Sequence, residues 1–137
     1  MSVAAAKTKC KGPASLARGM AYWLLVRTRA GPLDRHSSTR RPAVQRGDLA
    51  VCYLAGDKCI FAVVEVVSDP ENDPSRTRWQ WRFAIRPLLS VDPREAPPVE
   101  AAGVLPRSLG RHSYISLTPE QFAACRRCIG ECVERFP

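Results

Sequence analysis

Apolar residues in this chain gather into short dense runs separated by long polar stretches. Two of these runs, residues 49–54 (LAVCYL) and 59–67 (CIFAVVEVV), are separated only by Ala-Gly-Asp-Lys. Gly56 at the first central position suits a type II′ turn, whose twist matches that of the strands it joins. Such a turn predicts a hairpin in which Leu54 faces Cys59, Cys52 faces Phe61 and Ala50 faces Val63. Val51, Tyr53, Ile60, Ala62 and Val64 then share the opposite side, because successive side chains alternate. Both faces are apolar, so neither can be left in water. The hairpin therefore belongs at the centre of a closed barrel or of a sheet covered on both sides.

Around this hairpin the pattern predicts fewer and weaker elements. Residues 21–26 (AYWLLV) are apolar throughout and read as another buried strand. Residues 27–46 (RTRAGPLDRHSSTRRPAVQR) have no apolar period, and Gly31-Pro32 and Pro42 mark a long surface loop that could hold one helical turn. Loops of that length in compact domains usually carry function. Residues 68–75 (SDPENDPS) form a turn-rich acidic loop. Residues 79–86 then alternate, with Trp79, Trp81, Phe83 and Ile85 on one face and Gln80, Arg82 and Arg86 on the other. This predicts a half-exposed strand that Pro87 ends near a sheet edge. Burial should rise along the apolar face, so Trp81 is expected in the core and Trp79, nearest the loop, at a pocket. Residues 92–107, rich in Pro and Ala, predict no regular element.

Residues 114–117 predict a last short strand, and a helix follows. Thr118 is its N-cap, Pro119 sits in the first turn, and Gln121 closes a capping box. Phe122, Cys125, Ile129, Cys132, Val133 and Phe136 make one helical stripe to lay on the sheet. The fold class expected is α+β. There are no internal repeats.

With 137 residues the chain is expected to form one domain, residues 20–137, behind a disordered basic tail at residues 1–19. No apolar run approaches the roughly 20 residues that cross a bilayer, and the N-terminus lacks the apolar core of a secretion signal. A cytoplasmic protein with reduced thiols is the default. The net charge of +8 is unevenly spread: ten Lys and Arg precede Asp48, opposed there only by Asp34. A basic segment of this kind favours polyanions, and nucleic acid is the usual one.

Candidate chemistry adds little that is catalytic. Cys125, Cys128 and Cys132 follow a CxxCxxxC pattern, but a structural zinc site normally takes four ligands from two short elements, and no second knuckle exists. Cys52 and Cys59 sit inside strands, and Cys10 is a lone tail thiol, so core thiols are the expectation, with metal or redox chemistry as alternatives. His36 and His112 are isolated, and no serine elbow or phosphate-cradling glycine loop is present. The chain is thus expected not to be an enzyme.

Several motifs recur together in a familiar order. Tyr22-Trp23-Leu24-Leu25-Val26 is followed by Arg46-Gly47-Asp48-Leu49, then by Phe61-Ala62-Val63-Val64-Glu65-Val66-Val67. Arg111-His112-Ser113-Tyr114-Ile115-Ser116-Leu117 comes next, with Pro119, Glu120 and Phe122 behind it. In this order and spacing the chain resembles the EVE domain family over residues 20–129. EVE domains belong to the PUA-like group, together with YTH domains. The resemblance implies a small twisted β-barrel of PUA-like type with flanking helices and a C-terminal helix. It implies a monomeric binding module for DNA or RNA that flips a modified base, for example a methylated one, into an aromatic-lined pocket, with no cofactor, metal or membrane.

By position, the resemblance puts Trp23, Arg27, Thr28, Arg29, Trp79, Trp81, Arg111, His112 and Ser113 at the base site. Arg40, Arg41, Arg76 and Arg78 would hold flanking phosphates, which fixes position without reading sequence. Relatives commonly carry a Trp in the loop after the first strand, whereas residues 27–46 contain none. The alternative is a PUA-like module for a protein or small ligand, its basic face incidental.

Overall fold

A computed structural model of the chain describes residues 20–104, 109 and 112–135; the expected tail, Arg111 and Phe136 lie outside them. Among the described residues the strands are β1 (Tyr22–Arg27), β2 (Arg35–Ser38), β3 (Leu49–Leu54), β4 (Cys59–Val66), β5 (Glu71–Asn72), β6 (Trp81–Ser90) and β7 (Tyr114–Leu117). One helix, α1 (Pro119–Arg135), follows them, and the segment before β7 holds 3-10 turns at Pro93–Glu95 and Val99–Ala102. The architecture is α+β: a curled, open sheet in the order β2-β6-β4-β3-β1-β7, with β5 added against β6 and one C-terminal helix.

The β3–β4 hairpin is central, as its two apolar faces require, and each face supplies a core. Val51, Tyr53, Ile60 and Val63 pack with Leu24 under α1, while Ala50, Cys52, Phe61 and Val64 form a second core with Trp23, Leu25, Phe83 and Ile85. The turn and part of the register differ from expectation. The left-handed residue is Lys58, with φ of 56°, rather than Gly56, and the Lys58 N–H donates to the Leu54 carbonyl at 2.7 Å. Leu54 does pair with Cys59, but a bulge at Cys52/Tyr53 leaves Phe61 unopposed, so Cys52 faces Ala62 and Ala50 faces Val64. One extra residue reverses the alternation beyond it, which is why Val63 and Val64 exchange the sides predicted for them.

Two further corrections concern polar stretches. The supposed loop 27–46 contains β2, which pairs antiparallel with β6 and buries His36 and Ser38. The expected strand from Trp79 starts instead at Trp81 and runs through Pro87 to Ser90. Pro87, lacking a donor, is accommodated at a bulge where β6 carries the extra residue against Val63 and Val64.

The helix begins as its capping signals require. The Thr118 N–H donates to Gln121 Oε1 at 2.9 Å and the Gln121 N–H donates to Thr118 Oγ1 at 3.0 Å. Phe122, Cys125, Ile129 and Cys132 are buried along its stripe, and Phe122 stacks on Tyr22 at 4.6 Å between ring centroids. Burial pushes the Cys52 thiol up to about 12 and Cys125 to about 11, so neither is a thiolate at neutral pH. No helix among the described residues is long and apolar enough to cross a membrane.

Candidate functional site

The expected base-contact and phosphate-contact residues fall into two regions. The first is the seam along β1, which pairs with β3 on one side and with β7 on the other. The second is the tip of the β5–β6 hairpin and the segment after β2.

At the seam, Gly47 takes a left-handed φ of 96°, which only glycine adopts freely, and turns the chain into Asp48. The buried Asp48 carboxylate accepts hydrogen bonds from the Ala21 and Gln45 backbone N–H groups at 3.2 and 2.9 Å and from Trp23 Nε1 at 2.8 Å. Trp23 is buried and meets Tyr114 edge-on at 5.5 Å, so its indole is part of the core. Arg27 reaches over the following loop. Its Nε, Nη1 and Nη2 donate to the carbonyls of Arg29, Arg35 and Pro32 at 3.2, 3.0 and 2.8 Å. The guanidinium thereby braces the segment that leads into β2. Thr28, Arg29 and His112 are exposed and Ser113 is half-buried.

His36, which no motif singled out, closes the seam. Its ring lies 5.7 Å from that of Phe83, and Nε2–H donates to the Ser113 carbonyl at 2.7 Å. That carbonyl also accepts the Val26 N–H at 3.0 Å. The pKa of His36 falls from 6.5 to about 4; burial is the main cause, the Ser113 hydrogen bond opposes it, and the Arg27 charge adds to it. The side chain is therefore a neutral structural donor at physiological pH. A strand with His and Ser as its inward residues carries no apolar signal; the alternation of His36 and Ser38 is the one trace in the sequence.

The second region is assembled by the β2–β6 register. Ser38 pairs with Trp81 and Asn72 pairs with the same residue from the other side. This pairing brings the segment after β2 to the start of β6. Ser38 Oγ donates to the Arg40 carbonyl at 2.6 Å and shapes the turn that presents Arg40 and Arg41, both exposed. Arg41 Cζ lies 5.6 Å from the centroid of the Trp81 ring, and Arg78 Cζ lies 4.5 Å from that of Trp79. Each distance is in the range of a cation–π contact. Arg76 sits on the same hairpin tip, its Nε donating to the Arg78 carbonyl at 3.4 Å.

Trp79 and Trp81 do not share a strand face. Trp79 has a left-handed φ of 50° and is 41% exposed, so its side chain leaves the alternation before β6 begins. Trp81, expected in the core, is half-buried and belongs to neither core cluster; Phe83 and Ile85 close the core instead. The contact of Arg41 with Trp81 follows from β2, so the sequence separation of the two residues hid it.

Two open grooves lie elsewhere. One of about 640 Å³ runs between α1 and the sheet, lined by Tyr22, Leu49, Leu89 and Arg126 among others. The other, of about 320 Å³, lies against β5 and β6 with Arg35, Glu71, Asp73 and Arg82 in its walls. Neither includes an expected base-contact residue. Among the described residues no group of His, Cys, Asp and Glu is arranged to hold a metal ion.

No family model and no curated protein matches the chain. Solved structures do share its fold. A protein from Rhodopseudomonas palustris superposes with a TM-score of 0.58 at 19% identity, over 82% of this chain and 94% of that one. A hypothetical protein from Leishmania major gives a TM-score of 0.55 at 15% identity, over 82% and 96%. One from Agrobacterium tumefaciens gives 0.52 at 19% identity, over 78% and 92%. At these identities the likeness is one of fold.

Proposed function

We propose that the chain is a non-enzymatic nucleic-acid-binding module of the EVE, PUA-like type that recognises a modified base in DNA or RNA. The observation that carries this reading is the placing of Arg41 on the Trp81 ring, through the pairing of β2 with β6, two residues from Trp79, on whose ring Arg78 lies. Guanidinium groups on a braced turn suit phosphates, and an accessible indole suits a base lifted from its stack. Trp23 and Arg27 are spent inside the fold, which leaves Trp79 and Trp81 as the aromatic surfaces for a base. Stacking on one indole contributes roughly 1–3 kcal/mol per base.

The test is a binding screen of the full chain against short oligonucleotides that differ only in a base methylation. Tighter binding to one modified oligonucleotide than to its unmodified twin supports the reading. Equal affinity throughout removes the modified-base part, and no binding at low salt removes the nucleic-acid part. The second reading, a PUA-like module for a protein or small ligand, is favoured by the commitment of Trp23 and Arg27 to the fold. It expects the last of these outcomes.

A further inference from the structure

The tip of the β5–β6 hairpin is more heavily braced than a surface loop needs to be. The Asp73 N–H donates to the Gln80 carbonyl at 2.7 Å, Gln80 Nε2 to the Arg76 carbonyl at 3.0 Å, and the Arg76 N–H to the Asp73 carbonyl at 3.2 Å. The Ser75 hydroxyl and N–H both donate to Asp73 Oδ1, at 2.6 and 3.1 Å. These bonds hold in place a residue that gains little from the fold. Trp79 takes a left-handed backbone conformation that is strained for a bulky side chain, and 41% of its surface stays in water. The Arg78 guanidinium lies 4.5 Å from the centre of the ring, and the exposed part of the residue is open to a ligand. Two residues on, Trp81 repeats the arrangement with Arg41, half-buried rather than protruding.

An exposed indole with a guanidinium beside it suits the face of a nucleobase, while neighbouring guanidinium groups suit phosphates. The bases of an intact duplex have their faces covered by the stack above and below. An unpaired strand has faces to give. We propose that Trp79 is a stacking surface for unpaired bases, which makes single-stranded nucleic acid, not intact duplex, the partner of this surface. The inference rests on the nucleic-acid reading above and adds the strand state to it.

The experiment titrates the full chain with one unmodified oligonucleotide, single-stranded and as a blunt duplex of the same length, at matched salt. Intrinsic tryptophan emission is followed along with anisotropy. The single strand is expected to bind about tenfold tighter and to quench the emission, a factor within the range that stacking one base on an indole contributes. Trp79→Gly relieves the backbone strain as it removes the ring, because glycine adopts this φ freely. Its melting temperature should hold or rise while single-strand affinity falls about tenfold and duplex affinity stays. Trp79→Phe should keep most of the affinity. Equal or tighter duplex binding, or a Trp79→Gly variant with unchanged single-strand affinity, overturns the stacking surface and leaves the nucleic-acid reading standing. Binding to neither form at low salt overturns both.

Discussion

The seam and the hairpin tip use the same residue types for opposite ends. At the seam a tryptophan and an arginine are consumed by the fold: Trp23 donates its indole N–H to the buried Asp48, and Arg27 spends its guanidinium on three carbonyls. At the tip, Trp79 stands in solvent on a strained backbone, with the Arg78 guanidinium resting on its ring. Residue type alone therefore says little about a binding site. What separates the two regions is whether each polar group already has its partners and whether the apolar surface is already covered. Removing side chains should cost stability at the seam and affinity at the tip, and each expected outcome below tests that division.

The largest effect is expected at Trp23. Trp23→Ala removes a buried indole and one of the hydrogen bonds to Asp48, and should cost about 3–5 kcal/mol in denaturant unfolding. A loss below about 1 kcal/mol would mean that the indole is not part of the core. The seam should also respond to acid. His36 has an ordinary pKa of 6.5 when unfolded and about 4 when folded, so below pH 6.5 the unfolded chain takes up a proton that the folded chain refuses. Its contribution is fully present above pH 6.5 and is lost as the pH falls towards 4, to the extent of on the order of 3 kcal/mol. Unfolding free energies at pH 7 and 4.5 should differ in that direction. His36→Gln should flatten the difference, and an unchanged slope in that variant would assign the acid sensitivity to other groups.

This division also explains what could be read from the chain in advance. Strands β1, β3, β4 and β7 and the start of α1 were legible because their signals are local: apolar runs and a capping box within four residues. β2 was not, since its buried residues are His36 and Ser38, and the partner of His36 is a carbonyl 77 positions away. Nor were the bulges legible, as one extra residue in β4 or β6 leaves no mark in composition while it moves every later side chain to the other face. Trp79 fits the alternation of its neighbours, and only its backbone shows that it departs from them. The site suffered for the same reason. Arg41 reaches Trp81 only once β2 is seen to pair with β6, so its chemistry could be named from the sequence but its company could not.

A smaller effect on stability is expected at Arg27. Lysine keeps the charge there but not the planar fork that serves three carbonyls. Arg27→Lys should destabilise by about 1–2 kcal/mol, since hydrogen bonds from a charged donor contribute at that level and the lysine can recover one of them. It should also raise proteolytic cleavage within residues 28–34 while leaving the salt dependence of nucleic-acid binding unchanged. A shallower salt dependence in this variant would put Arg27 on a phosphate and break the comparison.

The least effect on stability is expected where the arginines are free of the fold. Arg40 and Arg41 are exposed, and Arg41 lies against the half-buried Trp81 ring. Replacing both with alanine should change unfolding free energy by no more than about 0.5 kcal/mol, as surface substitutions do. Binding should behave differently. If each guanidinium neutralises one phosphate of a single strand, the slope of log affinity against log salt should become shallower by about 1.4, or about 0.7 for each contact. Such contacts do not read the base, so affinity for modified and unmodified oligonucleotides should fall by the same factor. The measurement is a set of titrations at several salt concentrations with the paired oligonucleotides. A slope that does not move would take both residues off the backbone, and a loss confined to the modified oligonucleotide would move them to the base itself.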